Sequence, residues 1–396
     1  MIGHLPPHGW GEARLDEVAE VVTGTTPATT RPDFYGGEIP FVRPPDLDAS
    51  DPITDASIRI TAAGAEGSRV LPAGAVLVCC IGSLGKVGFA GVPVATNQQI
   101  NALVFDRRNV EPRYGYHFCR TLKPLLEHMA PATTVAIVNK TKFSQLRIPL
   151  PHPDDPKRSL TEQKRIAAVL DKADAIRRRR QKAARLADQL IPCLFYDMFG
   201  SPTANSRKWP RRPLGEITLI DAPMVDPRLD EYCDLRHYGA DRIDRDTGRL
   251  LPAKTAREDG LISGKFLFDD RYVLYSKIRP NLRKVALGEQ QALCSADVYP
   301  VRPRADILTR EFLWALLLTP EFTEFAIKQS GRANIPKINR EQFARYDCVV
   351  PPLPMQEQFS SRSKHVLTLT SEQANNEHEA DNLFNSLVQR AFRGEL

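Results

Sequence analysis

The chain states most of its sequence features twice. Trp10 precedes Arg14-Leu15-Asp16-Glu17-Val18, and Trp209 precedes Pro213-Leu214-Gly215-Glu216-Ile217. Val76-Leu77-Val78 leads into Ile81-Gly82-Ser83-Leu84-Gly85-Lys86-Val87. Val273-Leu274-Tyr275 leads into Ile278-Arg279-Pro280-Asn281-Leu282-Arg283-Lys284-Val285. Thr96-Asn97-Gln98 matches Ser295-Ala296-Asp297, Asn139 and Phe143 match Asn339 and Phe343, and Pro151 matches Pro351. Each half is followed by Glu-Gln, as Glu162-Gln163 and Glu357-Gln358. Ordered matches at one period of about 200 residues mark a duplication, which predicts two related bodies with approximate two-fold symmetry inside one chain.

Each half ends in a long helical pattern. The first begins near Thr161, with Ser159 as cap and Glu162 reaching back in a capping box. It runs without glycine to Phe199, roughly 58 Å at about 1.5 Å per residue. Val169, Ala173, Ile176, Ala183, Ala187, Leu190, Leu194 and Met198 step by threes and fours, the spacing of a coiled-coil seam. Pro192 should kink its last turns. The second helix starts at Pro354 and carries Phe359, Val366, Ala380, Leu383, Leu387 and Ala391. If the two pair antiparallel, Arg180 faces Gln373 and Asn376 at a polar middle that fixes register. The expected pairing residues are therefore Val169, Ile176, Arg180, Leu190, Leu194, Val366, Asn376, Leu383 and Leu387. The run Arg177 to Arg180 points all round the helix, so it reads as a solvated surface rather than a nucleic-acid stripe.

Between these helices the halves are rich in Val, Ile, Gly and Pro. Val76–Ile81 and Tyr272–Ile278 read as strands, Tyr114–Met129 and Glu311–Gln329 as helices. The fold class is α+β: two related globular α/β domains joined by two long antiparallel helices. The expected division is 1–158, 159–200, 201–353 and 354–396. Polar residues cluster after the strands. Asn97, Gln98, Gln99 and Asn101 offer amides, which pair bidentately with adenine. Lys277, Arg279, Arg283 and Lys284 offer cations for guanine or phosphate. Thr133-Thr134 and Arg332-Ala333-Asn334 stand at matching places in the two halves.

Composition narrows the class further. A net charge of +6 over 396 residues is compatible with nucleic-acid binding without requiring it. The seven cysteines form no Cys-x-x-Cys pair, which argues against a disulfide framework or zinc and for reduced, mostly buried thiols in a cytoplasm. The first residues lack a signal-peptide pattern, and no run is apolar enough to cross a bilayer. Catalytic motifs fail on their chemistry. Arg43-Pro44-Pro45-Asp46 lacks both the amide and the aromatic with which an amino-methyltransferase holds a flipped base. The stretch from Cys80 to Val87 has cysteine where a P-loop needs glycine and valine where it needs a hydroxyl. Asp154 with Glu162 and Lys164 resembles a nuclease string, but the last two open a helix instead of sitting on a strand. The eight histidines show no metal-ligand spacing. An enzyme acting alone on nucleic acid and a protein-binding scaffold remain the competing classes.

Several blocks resemble the specificity subunits of Type I restriction-modification systems (the HsdS family). They are Gly24-Thr25-Thr26-Pro27 with Tyr35 to Arg43, Ile81 to Lys86 with Thr96 to Asn101, Leu274 to Pro280 with Cys294-Ser295, and Pro-Leu-Pro before the last helix. The resemblance covers nearly the whole chain. It departs at the longer linker His152–Leu160 and at Asp221 to Pro227, where the second half lacks a Gly-x-Thr-Pro block. The resemblance implies two target-recognition domains reading a split, asymmetric DNA site, with helices that set the spacing. It implies docking of two methyltransferase (HsdM-type) subunits, which bind S-adenosylmethionine, and association with motor-nuclease (HsdR-type) subunits. It implies no catalysis, metal or cofactor in this chain. Candidate DNA contacts are Thr25, Thr26, Arg43, Ser83, Lys86, Asn97, Gln98, Thr134, Asn139 and Lys140 in the first half. Those in the second are Lys277, Arg279, Asn281, Arg283, Lys284, Arg332, Asn334, Lys337 and Asn339.

Overall fold

A computed structural model of the chain describes residues 9–48, 51–130, 135–331 and 336–396. The chain forms two compact units. One comprises residues 1–179 and 378–396, the other 180–377. Both long helices therefore contribute to both units, so the division differs from one that sets the helices apart as domains.

The two units are built to one plan. In the first, strands Ala19–Thr23, Ile100–Phe105, Val76–Cys79 and Val87–Phe89 lie side by side in that order. In the second, Thr218–Leu219, Val298–Pro303, Val273–Ser276 and Val285–Leu287 repeat the order. All neighbours are antiparallel. A ribbon closes each unit, Trp10–Arg14 with Arg147–Pro151 and Arg211–Pro213 with Asp347–Val349. Side chains alternate across a strand, and here both faces are covered. Val76 and Val78 enter the main core, while Leu77 and Cys79 enter a second core on the other face. Val273 and Tyr275 likewise oppose Leu274. The second layer differs between units. It is a three-stranded sheet of Tyr35–Val42, Arg59–Ile60 and Ala95–Thr96 in the first. In the second it has four strands, Met224–Val225, His237–Tyr238, Lys265–Phe268 and Ala292–Cys294.

The helices expected over Tyr114–Met129 and Glu311–Gln329 are each two, Pro112–Cys119 with Lys123–Met129 and Arg310–Leu317 with Pro320–Gln329. A proline stands in the first turn of the second member in each pair, where its missing N–H costs nothing. The first long helix begins at Pro156 and not near Thr161. Asp155 is its acceptor, taking the Arg158 N–H at 3.0 Å. Ser159 is buried inside the helix and accepts from Gln163 Nε2. The helix stops at Asp188 and resumes as Leu190–Phe199. The break lies one turn before Pro192, because proline has no N–H for the Asp188 carbonyl and its ring crowds that group. The second long helix spans Leu353–Ala391.

In the first unit, Ile166, Ala167 and Leu170 share a core with Phe384, Val388 and Ala391. In the second, Ile191, Phe195 and Met198 share one with Phe359, and Val366 packs on its edge. The start of each helix thus meets the end of the other, the order an antiparallel pair requires. Of the expected pairing residues, Leu194, Val366 and Leu387 pack on these shared cores. Ile176, Leu190 and Leu383 are 52%, 45% and 55% exposed, and Arg180 is exposed. Val169, Leu194, Val366, Asn376 and Leu387 are only half-buried. The buried stripe instead runs through Gln163, Leu170, Asp174, Ala184, Ile191 and Phe195, one helical step away. Its polar members Gln163 and Asp174 bind the globular part of the unit, at Asn109, Glu111 and Arg120. All seven cysteines are unpaired, and only Cys193 is exposed.

Candidate nucleic-acid interface

One corner of each main sheet gathers the loops that carry the polar blocks. In the first unit the turn after Val76–Cys79 is pinned by backbone hydrogen bonds. The Cys80 N–H donates to the Gln99 carbonyl (2.8 Å), Gly82 to Ala136 (2.9 Å), and Val138 to Cys80 (2.9 Å). Thr25 donates to the Thr96 carbonyl at 2.9 Å. Residues 24–26, 80–86, 96–99 and 136–140 are therefore held together. Among the candidates, Thr25, Thr26, Ser83, Gln98, Asn139 and Lys140 are exposed there, and Lys86 is half-buried.

The second unit repeats this framework. Lys277 donates to the Asp297 carbonyl (3.0 Å), Arg279 to Pro336 (2.7 Å), and Ile338 to Lys277 (3.0 Å). The turn closes alike in both, Cys79 donating to Lys86 and Ser276 to Lys284. These bonds align Gln99 with Asp297, so the true counterpart of Ser295-Ala296-Asp297 is Asn97-Gln98-Gln99, one residue beyond Thr96-Asn97-Gln98.

The structure sorts the candidates by what their polar atoms already do. Asn97 is 7% exposed, gives its Nδ2 to Gln99 Oε1 (2.8 Å), and takes the Gln99 N–H on Oδ1 (3.2 Å). Its amide is occupied in holding the loop. Gln98 beside it is exposed, and Thr26 Oγ1 donates to its Oε1, which sets the orientation of its amide. Asn139 and Asn339 are helix N-caps, each accepting the N–H of the residue three ahead at 2.8 Å. Arg43 binds Ser57 Oγ through its guanidinium at 3.0 Å, while its Nε is buried without a partner among the described residues. Lys277 sits on the Tyr299 ring at 5.4 Å and 3.4 Å from Asp297. Burial and the neighbouring Lys337 charge hold its pKa below the usual lysine value, against the pull of Asp297. Lys284 Nζ donates to the Ala240 carbonyl at 2.6 Å. Arg279, Asn281 and Arg283 are exposed and Lys337 half-buried. Thr134, Arg332 and Asn334 lie outside the described residues.

Two glutamines carry more of the architecture than their exposure to reading suggested. Gln163 is fully buried, accepts the Glu111 N–H (2.9 Å) and donates to the Asn109 carbonyl (3.0 Å). Gln356 is fully buried, accepts the Thr309 N–H (3.0 Å) and donates to the Ile307 carbonyl (3.0 Å). Each pins a long helix to the start of the globular helix beside it. The repeat partner of Gln163 is thus Gln356, not the exposed Gln358.

Among the described residues, no group of His, Cys, Asp and Glu could hold a metal ion, and no helix is long and apolar enough to cross a membrane.

Residues 7–186 match the family described as the Type I restriction modification DNA specificity domain. The chain is 34% identical over 196 residues to the Type I restriction enzyme EcoDI specificity subunit of Escherichia coli, covering 48% of this chain and 43% of that protein. It is 26% identical over 192 residues to the HindI specificity subunit of Haemophilus influenzae, covering 48% and 41%. The matched segment spans less than half the length of these two curated relatives. The crystal structure of the Type-I restriction-modification system S subunit from M. genitalium shares the fold, with a TM-score of 0.61 over 99% of this chain and 98% of that one at 12% identity. The chain is therefore similar to the Type I restriction-modification specificity subunits, and its residues 7–186 match the family described as their DNA specificity domain.

Proposed function

We propose that the chain is the DNA-reading subunit of a Type I restriction-modification enzyme, recognising a two-part asymmetric target and catalysing nothing itself. The observation that carries this is the doubled corner. One backbone framework is built in each unit, and different side chains are mounted on it. Two like frameworks suit two stretches of one duplex. Unlike side chains, Gln98 and Ser83 against Ala296 and Asn281, suit two different half-sites. The long helices carry exposed Ile176, Leu186, Leu190 and Leu383, apolar surface that suits two methyltransferase-type subunits bearing S-adenosylmethionine. Motor-nuclease subunits complete the restricting assembly on this reading. Binding should weaken steeply with salt, since phosphate contacts supply most of the affinity.

The test is co-expression with a Type I methyltransferase subunit in a methylation-free host, followed by sequencing of modified bases. The expected result is one split motif, with no methylation by either chain alone. Methyl transfer by this chain alone, or a single uninterrupted motif, would overturn the proposal. The Gln98→Ala and Asn281→Ala substitutions should each alter one half of the motif and leave the other intact.

A further inference from the structure

The turn at the reading corner needs two left-handed residues, and the two units fill these positions differently. In the first unit they are Gly82 (φ +77°) and Gly85 (φ +75°). In the second they are Arg279 (φ +48°) and Arg283 (φ +46°). Glycine enters this region freely, whereas a residue with a Cβ crowds its own carbonyl there. The same backbone framework thus runs on glycine in one unit and carries arginine under strain in the other. Strain of this kind persists where a side chain is wanted at that place.

The surroundings of the two arginines separate their roles. Arg283 is exposed and lines an open cavity beside Tyr196 and Trp314. Arg279 is exposed, and its guanidinium has no hydrogen-bond or ion-pair partner among the described residues. Its backbone is rigid, held by the N–H bond to Pro336 (2.7 Å) and by the bridge between Ile278 and Lys337. Lys337 belongs to the same ladder, and Lys277 and Arg340 both lie over the Tyr299 ring, at 5.4 and 5.8 Å. Asp297 is the acidic group paired within this set. Lys337 repels the Lys277 charge and Asp297 offsets this only in part, so uncompensated positive charge stands beside Arg279. A base edge is neutral and leaves that repulsion in place, whereas a phosphate relieves it.

We infer that Arg279 is the phosphate anchor of the second unit, a side chain held in a glycine position so that its guanidinium grips the DNA backbone. The inference rests on the DNA-reading function proposed above and assigns this residue to affinity, not to sequence choice.

The test uses the full chain in complex with its methyltransferase subunits, comparing wild type with Arg279→Gly. Two duplexes serve as probes, one with the motif found by methylation sequencing and one of random sequence. Glycine fits the left-handed backbone, so the variant should melt no lower than wild type. Its affinity should fall roughly tenfold on both duplexes. The slope of log K against log salt should shrink by about 0.9, the value for one lost phosphate contact. The methylated motif should stay the same. Wild-type affinity and slope in the variant would overturn the inference, as would a relaxed base at one motif position, which would make Arg279 a reader of guanine. Failure of the wild-type complex to bind or methylate any duplex would instead sink the underlying function.

Discussion

In the first unit, the globular helix Pro112–Cys119 meets a long helix through charge; in the second, its counterpart Arg310–Leu317 meets one through rings. Asp174, 3% exposed at its side chain, is paired with Arg120 (3.2 Å), Arg177 (2.8 Å) and Arg178 (2.8 Å). One turn earlier Asp171 pairs with Arg113 and lies 2.7 Å from His117 Nε2, and Arg113 also holds Asp51 at 2.7 Å. In the second unit, the positions of His117, Arg120 and Asp174 are taken by Ala315, Leu318 and Leu367. There Phe195, Phe199, Phe312 and Phe359 stack with centroids 4.9 to 5.9 Å apart. A cavity of 190 Å³ lies beside Ala315, Leu318 and Leu367. A buried, paired ion cluster and an apolar patch are close in net worth, so a duplicated junction can drift from one to the other. They differ in how they fail. The ionic joint should break sharply when one member is lost or titrated, and the apolar joint should yield by degrees.

The largest contrast should come from Asp174→Ala against Leu367→Ala. The first takes from Arg120 its carboxylate and leaves Arg177 and Arg178 with only their longer pairs to Asp381 and Asp51, a loss of about 3 kcal/mol. The second trims a partly buried leucine already beside a void, a loss of about 2 kcal/mol. Hydrogen exchange, resolved by unit, separates the two. Equal losses would mean that the charges are screened and the contrast between the joints is only apparent.

Acid should divide the units next. Burial raises the Asp174 pKa, but Arg120 and the arginines on its own helix outweigh it and bring it to about 2, against a usual 3.8. A folded pKa below the unfolded one gives stability that is complete above the usual value and lost as pH falls through it. Asp174 should therefore cost the first unit on the order of 2 kcal/mol between about pH 4 and 2. His117 acts earlier in the same direction. Burial, stronger than the pull of Asp171, depresses its pKa below 6.5, so the unfolded chain takes the proton first and stability starts to fall below that pH. His117→Asn should remove the early phase and leave the later one. Ala315 and Leu367 do not titrate, so equal acid loss in both units would refute the assignment.

The joints were the least legible part of the sequence, and the reason is physical. The duplication showed because strand and turn residues recur with their spacing, and so did the α+β class. Buried ions look like a solvated face. Arg177 to Arg180 read as surface, yet Arg177 and Arg178 fold back on Asp174 while Arg179 and Arg180 stay exposed. The face that packs on the globular helix was hidden for the same cause, since its polar anchors Gln163 and Asp174 carry no apolar signal. At the loop corner of each main sheet, the blocks around Gly82 and Arg279 were visible as motifs. What each amide does was not, because Asn97 and Gln98 differ only in which neighbours reach them. The one-residue slip in aligning Asn97 to Gln99 with Ser295 to Asp297, and the confusion of Gln356 with Gln358, share one origin. Short identities were matched where backbone hydrogen bonds, invisible in sequence, set the register.

Filling the second joint should help modestly. Ala315→Val adds two carbons toward the cavity, worth about 1 kcal/mol at roughly 0.8 kcal/mol per buried methylene less any strain. A rise in Tm confined to exchange in the second unit is the expected reading, and a fall would show that the void is already closed by relaxation.

The smallest effect should come from the one ion pair that both joints keep. Arg113 with Asp171 in the first unit answers to Glu311 with Lys364 in the second, the polarity reversed. Lys364 is 67% exposed at its side chain and 3.9 Å from Glu311, which keeps Arg310 at 3.0 Å. Removing the lysine therefore strands nothing, and Lys364→Ala should change stability by about 0.5 kcal/mol or less. Asp171 has no such reserve, since it alone receives the His117 ring. Its removal should cost the first unit several times more, and near-equality of the two would show that the reversed pair, not the aromatic stack, holds the second joint.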